Sequence, residues 1–239
     1  MSFADVKALT FDTGGTILDW HTGFRDALAA AGARHGETRI WAGLANELRK
    51  RSLGAMLNLG EHEPPAYNFD GAHRMHLDDI LAEEGLDMFD ESDRHAIAYE
   101  AVHNFRAWPD FPDVLPELQK QRIVVSFTIL SYRIAIDTAK RNGFKWDAVL
   151  SCEGYGFYKL LPQAYLKTAE LLQLEPHECC MVACHPFDRN AAKACGFKTA
   201  MVRRPTEWGP PDAPNRMAAE DGDFDLIVDD FPALLAATS

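Results

Sequence analysis

The chain lacks the cysteine spacing of a disulfide framework. Its five cysteines are an odd number, and all of them, Cys152, Cys179, Cys180, Cys184 and Cys195, fall in the C-terminal part. No two are spaced as CxxC, which excludes a stapled secreted scaffold and a zinc ribbon. They read as reduced thiols, as expected in the cytosol. No apolar run approaches the length of a membrane span. The opening residues MSFADVK have neither a basic region nor an apolar region, so no signal peptide is expected. Basic residues are also scarce. Lys and Arg number 24 against 36 Asp and Glu, a net charge of −12. That balance argues against nucleic acid or an anionic membrane as partner. A small anionic substrate would need a local cluster of cations against the global sign. No internal repeat or low-complexity tract is present.

What is present is a core-forming chain of 239 residues, 47% hydrophobic. Short apolar runs suit strands at Val6–Phe11, Ile123–Thr128, Ala148–Ser151, Cys180–Ala183, Lys198–Val202 and Leu226–Val228. Helical stretches separate them, among them Ile134–Arg141, Leu161–Leu172 and Arg189–Cys195. This alternation predicts an α/β fold, a doubly wound, Rossmann-like parallel sheet covered by helices on both faces. Residues 20–105 contain no strand pattern. Helices are expected there at Arg39–Leu59, Asp70–Glu84 with Asp70 as N-cap, and Ser92–Phe105, with a loop at Glu61-His62-Glu63-Pro64-Pro65. The expected organisation is a core of residues 1–19 and 106–239, interrupted by a helical cap of residues 20–105.

Open parallel sheets bind ligands beyond the carboxyl ends of their strands. The segments at those ends are polar or glycine-rich. The first reads TFDTGGT, residues 10–16. Its glycines allow a sharp turn and a close approach of backbone N–H groups to an anion. Plain strand punctuation would explain the same turn. Lys159, in GYGFYKLLP, could hold a nearby carboxylate ionised, or simply be a solvated surface lysine. Asp188, in MVACHPFD, could cap the helix that follows, orient Lys159, or do both.

Together these segments resemble the haloacid dehalogenase superfamily across nearly the whole chain. The stretches FDTGGTILDW, WDAVLSCEGYGFYK, MVACHPFD and GFKTAMVRRPTEWGP are most similar to its L-specific, type II 2-haloacid dehalogenases. The resemblance implies roles. Asp12 is the nucleophile, with Thr16 hydrogen-bonded beside it. Thr128 ends the second motif and holds the substrate carboxylate. Lys159 and Asp188 are the lysine and acid of the third and fourth motifs. Arg49 is the cap arginine that binds the departing halide or the substrate carboxylate, with Arg51 as its rival. Thr13, Gly14, Ile129, Ser131 and His185 would complete the substrate site. Superfamily phosphatases carry a second aspartate two residues after the nucleophile and another in the fourth motif, and these hold Mg²⁺. Here those positions are Gly14 and Cys184, and a thiol is a poor ligand for a hard cation. No metal and no cofactor is therefore expected.

The expected activity is hydrolytic dehalogenation of short 2-haloalkanoic acids through an aspartyl ester, with a haloacid and halide as partners and dimers common among look-alikes. The alternatives are a phosphoesterase of the same fold and a non-catalytic binding protein. Three departures stand out. Ile129 replaces the usual Asn after the second motif, and Ser131 could compensate. Gly14 replaces a bulky residue and would enlarge the pocket. Leu160 replaces the proline that usually follows the lysine. His73 and His76 read as ordinary cap residues. Trp20, Trp208 and Phe187 read as packing residues that exclude water, and Cys184 as the thiol at the site mouth.

Overall fold

The computed structural model describes residues 3–57, 68–217 and 222–238. The loop expected at Glu61–Pro65 lies outside the described residues. Six parallel strands form one sheet in the order β3-β2-β1-β4-β5-β6. They are β1 (Ala8–Phe11), β2 (Ile123–Thr128), β3 (Ala148–Ser151), β4 (Cys179–Ala183), β5 (Lys198–Val202) and β6 (Leu226–Val228). Strands β1, β2 and β4 are almost wholly buried, as their predominantly apolar content suits a sheet covered on both faces. The register pairs Phe11 with Ser126 of β2 and with Val182 of β4. Asp12, Thr128 and Cys184 therefore emerge at the same edge. The strand order reverses at β1, between β2 and β4, which is where such sheets place their ligand crevice.

Among the described residues, the stretch after β1 carries five α-helical segments before the chain returns to the core: α1 (Trp20–Arg34), α2 (Trp41–Leu57), α3 (Phe69–Glu83), α4 (Glu91–His95) and α5 (Ala101–His103). A π-helical turn, Ala96–Glu100, joins the last two. Helix α1 is absent from the sequence expectations. Its Ala- and Gly-rich stretch AAAGAR has weak periodicity, and its position comes from packing: a side chain at Gly32 would collide with the Trp41 ring. The core side adds α6 (Leu115–Gln119), α7 (Tyr132–Asn142), α8 (Cys152–Tyr155), α9 (Pro162–Leu171), α10 (Pro186–Ala194) and α11 (Phe231–Thr238).

Two expected caps are corrected. Asn68, not Asp70, caps α3, its side chain accepting from the backbone of Asp70 and Gly71. Asp70 turns outward instead, accepting from Ser131 Oγ at 2.6 Å and contacting His103 Nε2 at 2.8 Å. Asp188 does not cap α10 either. That helix begins at Pro186 after His185, with no side-chain cap, and Asp188 lies within its first turn. Proline suits that first position because its missing N–H would have no helical partner. No helix among the described residues is long and apolar enough to cross a membrane.

Candidate active site

Strand β1 delivers Asp12 into a turn whose carbonyls are claimed locally. The Thr13 carbonyl accepts from both Ile17 and Leu18 N at 3.0 Å. The carboxylate is then gripped from two sides. Lys159 Nζ donates to its Oδ1 at 2.7 Å, and Thr16 Oγ1 donates to its Oδ2 at 2.7 Å. Thr16 Oγ1 also accepts from Cys184 N at 3.0 Å, so the first and fourth loops share this hydroxyl. Lys159 reaches on to Asp188 Oδ2 at 3.0 Å, and Tyr165 Oη donates to Asp188 Oδ1 at 2.8 Å. Lys159 and Asp188 are fully buried.

Burial by itself would raise the Asp12 carboxyl. The charges of Lys159 and His185, with the hydrogen bond from Lys159, outweigh it and hold the group well below the usual carboxylate range. Burial would likewise lower Lys159, but its two carboxylate partners raise it above its ordinary value. Asp188 is pushed up, chiefly by burial and also by the charge of Asp12, against the pull of Lys159. Of the two carboxylates that share the lysine, Asp12 is the one held ionised to lower pH.

Arg49, from α2, crosses to this cluster. Its Nη2 donates to the Gly14 carbonyl at 3.1 Å, and its guanidinium lies over the rings of Trp20 and Phe69 at 5.4 and 5.7 Å. It is 3% exposed and has no carboxylate within ion-pair distance among the described residues. Arg51 points away, paired with Glu47 and Glu83. Between them the helix geometry settles which arginine faces the sheet. Gly14 does not enlarge the pocket as expected; a Cβ there would stand 3.1 Å from Arg49 Nη2, so the space belongs to the guanidinium.

Asp12, Gly14, Arg49, Thr128, Ile129, Lys159 and His185 line one cavity with Leu53, Phe69, Leu130 and Phe187. Its volume is about 10 Å³, room for about one water-sized group. Ile129 supplies an apolar wall where a polar contact is usual. Ser131 does not compensate: it is absent from the wall, and its hydroxyl caps α7 and binds Asp70. Thr13 and Thr16 serve the turn instead of the cavity wall, with the Thr13 hydroxyl 3.1 Å from Ser126 Oγ. Lysine 159 is followed by Leu160, which takes the left-handed conformation at φ 77°.

A scan against family models matches residues 6–196 to haloacid dehalogenase-like hydrolases. The chain belongs to that family. The (S)-2-haloacid dehalogenase of Xanthobacter autotrophicus is 29% identical over 202 residues, covering 83% of this chain and 76% of that protein. Among solved structures, the L-2-haloacid dehalogenase PA0810 is similar at 30% identity and TM-score 0.84, covering 98% of this chain and 100% of that one. The defluorinating L-2-haloacid dehalogenase Rha0230 is similar at 34% identity and TM-score 0.85, covering 97% and 94%.

In this member of the haloacid dehalogenase-like hydrolases, the site also contains residues to which the sequence reading assigned no role. Glu207 is 5% exposed and accepts from Trp20 Nε1 at 3.0 Å. Its Oε1 is 2.9 Å from His185 Nε2. His185 Nδ1 in turn lies 3.2 Å from Asp12 Oδ2, an ion-pair contact without hydrogen-bond alignment. Burial opposes a charge on His185, but the surrounding acidic groups prevail and raise it well above its ordinary range. Glu207 would be raised by burial and is instead lowered by His185, Trp20 and Arg49. Trp20 is thus a hydrogen-bond donor to the site as well as a packing residue. Tyr165 anchors Asp188 from the far side of the lysine. Glu207 lies within GFKTAMVRRPTEWGP, which carried the resemblance without marking this residue, and Tyr165 lies in a stretch that reads as an ordinary helix.

Proposed function

We propose that the chain is a hydrolytic dehalogenase for short 2-haloalkanoic acids, acting through an ester on Asp12. One observation carries the reading: a buried guanidinium with no carboxylate within ion-pair distance among the described residues, Arg49, faces the same small cavity as a carboxylate held ionised, Asp12. A nucleophile beside such a cation suits a reaction in which negative charge passes from one to the other. An Asp12 oxygen attacks C2, the carbon–halogen bond breaks, and the electron pair leaves with the halide toward Arg49. Thr128 would hold the substrate carboxylate. Water then hydrolyses the ester, releasing a 2-hydroxy acid and a proton and restoring Asp12. His185, beside Asp12, is placed to handle that proton.

Asp12→Asn should abolish halide release from chloroacetate, 2-chloropropionate and fluoroacetate, measured by ion chromatography. The last substrate is included because a similar solved protein is described as defluorinating. Mass spectrometry during turnover should find Asp12 alkylated. An unchanged rate in the Asn variant would remove Asp12 from its assigned role. Arg49→Ala should cost about 10²–10³-fold in kcat. Mg²⁺-dependent phosphate release from an aryl phosphate, with no halide release, would favour a phosphoesterase instead. Gly14 and Cys184 stand against it, because neither offers Mg²⁺ a hard oxygen side chain.

A further inference from the structure

Cys184, His185 and Glu207 form a second constellation, behind the wall that faces Asp12. All three are buried. Cys184 Sγ is 3.4 Å from His185 Nε2 and 3.6 Å from Glu207 Oε2, and His185 Nε2 is 2.9 Å from Glu207 Oε1. A tetrahedral Zn²⁺ with bonds of about 2.3 Å to sulfur and about 2.0 Å to nitrogen or oxygen needs edges of about 3.5 Å for sulfur pairs and about 3.3 Å for nitrogen–oxygen. The sulfur edges to His185 Nε2 and Glu207 Oε2 already stand near that geometry, while the 2.9 Å nitrogen contact is made by the other Glu207 oxygen, Oε1. We infer that Cys184, His185 and Glu207 form a binding site for a borderline-soft divalent cation of the Zn²⁺ class.

Further features fit. A cavity of about 80 Å³ opens onto the same three residues, beside Met201, Phe187 and Trp208, and gives a fourth ligand position to water. The donor set of one sulfur, one nitrogen and one oxygen suits Zn²⁺ and excludes Mg²⁺ as the preferred ion. His185 would bind through Nε2 while its Nδ1 faces the Asp12 carboxylate at 3.2 Å. A carboxylate hydrogen-bonded to the second nitrogen is the usual support of a metal-bound histidine, and Asp12 stands within reach of that role without yet being aligned for it. Trp20 Nε1 already fixes Glu207 through Oε1, leaving Oε2 toward Cys184. Binding displaces the thiol proton and the imidazolium proton, two in all, while Glu207 is already a carboxylate. It would also tie His185 and Asp12 together, so the bound ion acts as a brake on any chemistry at Asp12.

The test uses the full chain freed of metal by chelation and titrated with Zn²⁺ alone. Calorimetry in buffers of different ionisation heat should find one ion per chain, with proton release. Co²⁺ should give the visible bands of a tetrahedral site and sulfur-to-cobalt charge transfer. Cys184→Ser and Glu207→Gln should each weaken binding about 100-fold or more, while Cys195→Ser should not. In the unaltered protein Zn²⁺ should slow alkylation of Cys184 more than that of Cys195, read by mass spectrometry. Equal alkylation with and without Zn²⁺, or Co²⁺ spectra without sulfur charge transfer, would overturn the site. These readouts do not depend on dehalogenation. Where halide release is observed, Zn²⁺ should depress it and a chelator restore it.

Discussion

At the scale of single residues, the two glycines after Asp12 do different work. Gly14 leaves room for the Arg49 guanidinium. Gly15 has φ 94°, and a side chain there would strike the Glu207 carboxylate. Gly15→Ala therefore combines backbone strain of about 1–3 kcal/mol with displacement of a buried acid. A melting temperature lower by roughly 3–10 °C is expected by calorimetry, at about 2–4 °C per kcal/mol for a chain of this size. Wild-type stability in this variant would mean that the turn relaxes freely. The need for small residues here was legible in TFDTGGT, but the groups they make room for were not. Arg49 and Glu207 arrive from α2 and from the loop after β5, far along the chain.

At the scale of elements, α3, α5 and α7 meet at one histidine. His103 Nε2 is 2.8 Å from Asp70 of α3, and Nδ1 is 2.8 Å from Asp137 of α7. Tyr99, in the π-helical turn, stacks on its ring at 3.9 Å. Burial would lower the His103 pKa, but the two carboxylates prevail and raise it. A raised folded-state pKa stabilises the fold fully below the unfolded value of about 6.5, and that contribution is lost as pH rises through the folded value. His103→Gln should thus cost on the order of 1–2 kcal/mol at acid pH, and the gap from wild type should narrow as pH rises. Denaturant melts at stepped pH check this; a constant gap would remove His103 from the role. The helices themselves were mostly readable from periodicity. Asp70 was readable as a helix-start residue, and its real task is tertiary.

At the scale of the whole molecule, a cluster of aromatic rings supports the sheet away from the site. Phe111 lies 5.6 Å from Phe11, 5.0 Å from Phe144, 5.6 Å from Trp146 and 4.6 Å from Phe231. Phe111→Ala should destabilise by about 3–5 kcal/mol through lost burial and a residual cavity. Because Phe111 is not on the cavity wall, halide release per folded molecule should stay within about twofold. A selective loss of activity in a fully folded variant would show that the ring cluster shapes the site.

The sequence by itself determined the strands, their parallel α/β arrangement and the residues of the motif loops. Strand β2, for example, runs Ile123–Thr128 as the apolar run does. These follow from local patterning, since a strand buried on both faces must be continuously apolar. Tertiary structure alone decided which of Arg49 and Arg51 enters the cavity, that Ser131 serves Asp70, and that Glu207 closes the site behind His185. Those outcomes rest on side-chain partners distant in sequence, and a buried polar group takes its meaning from the partner that satisfies it.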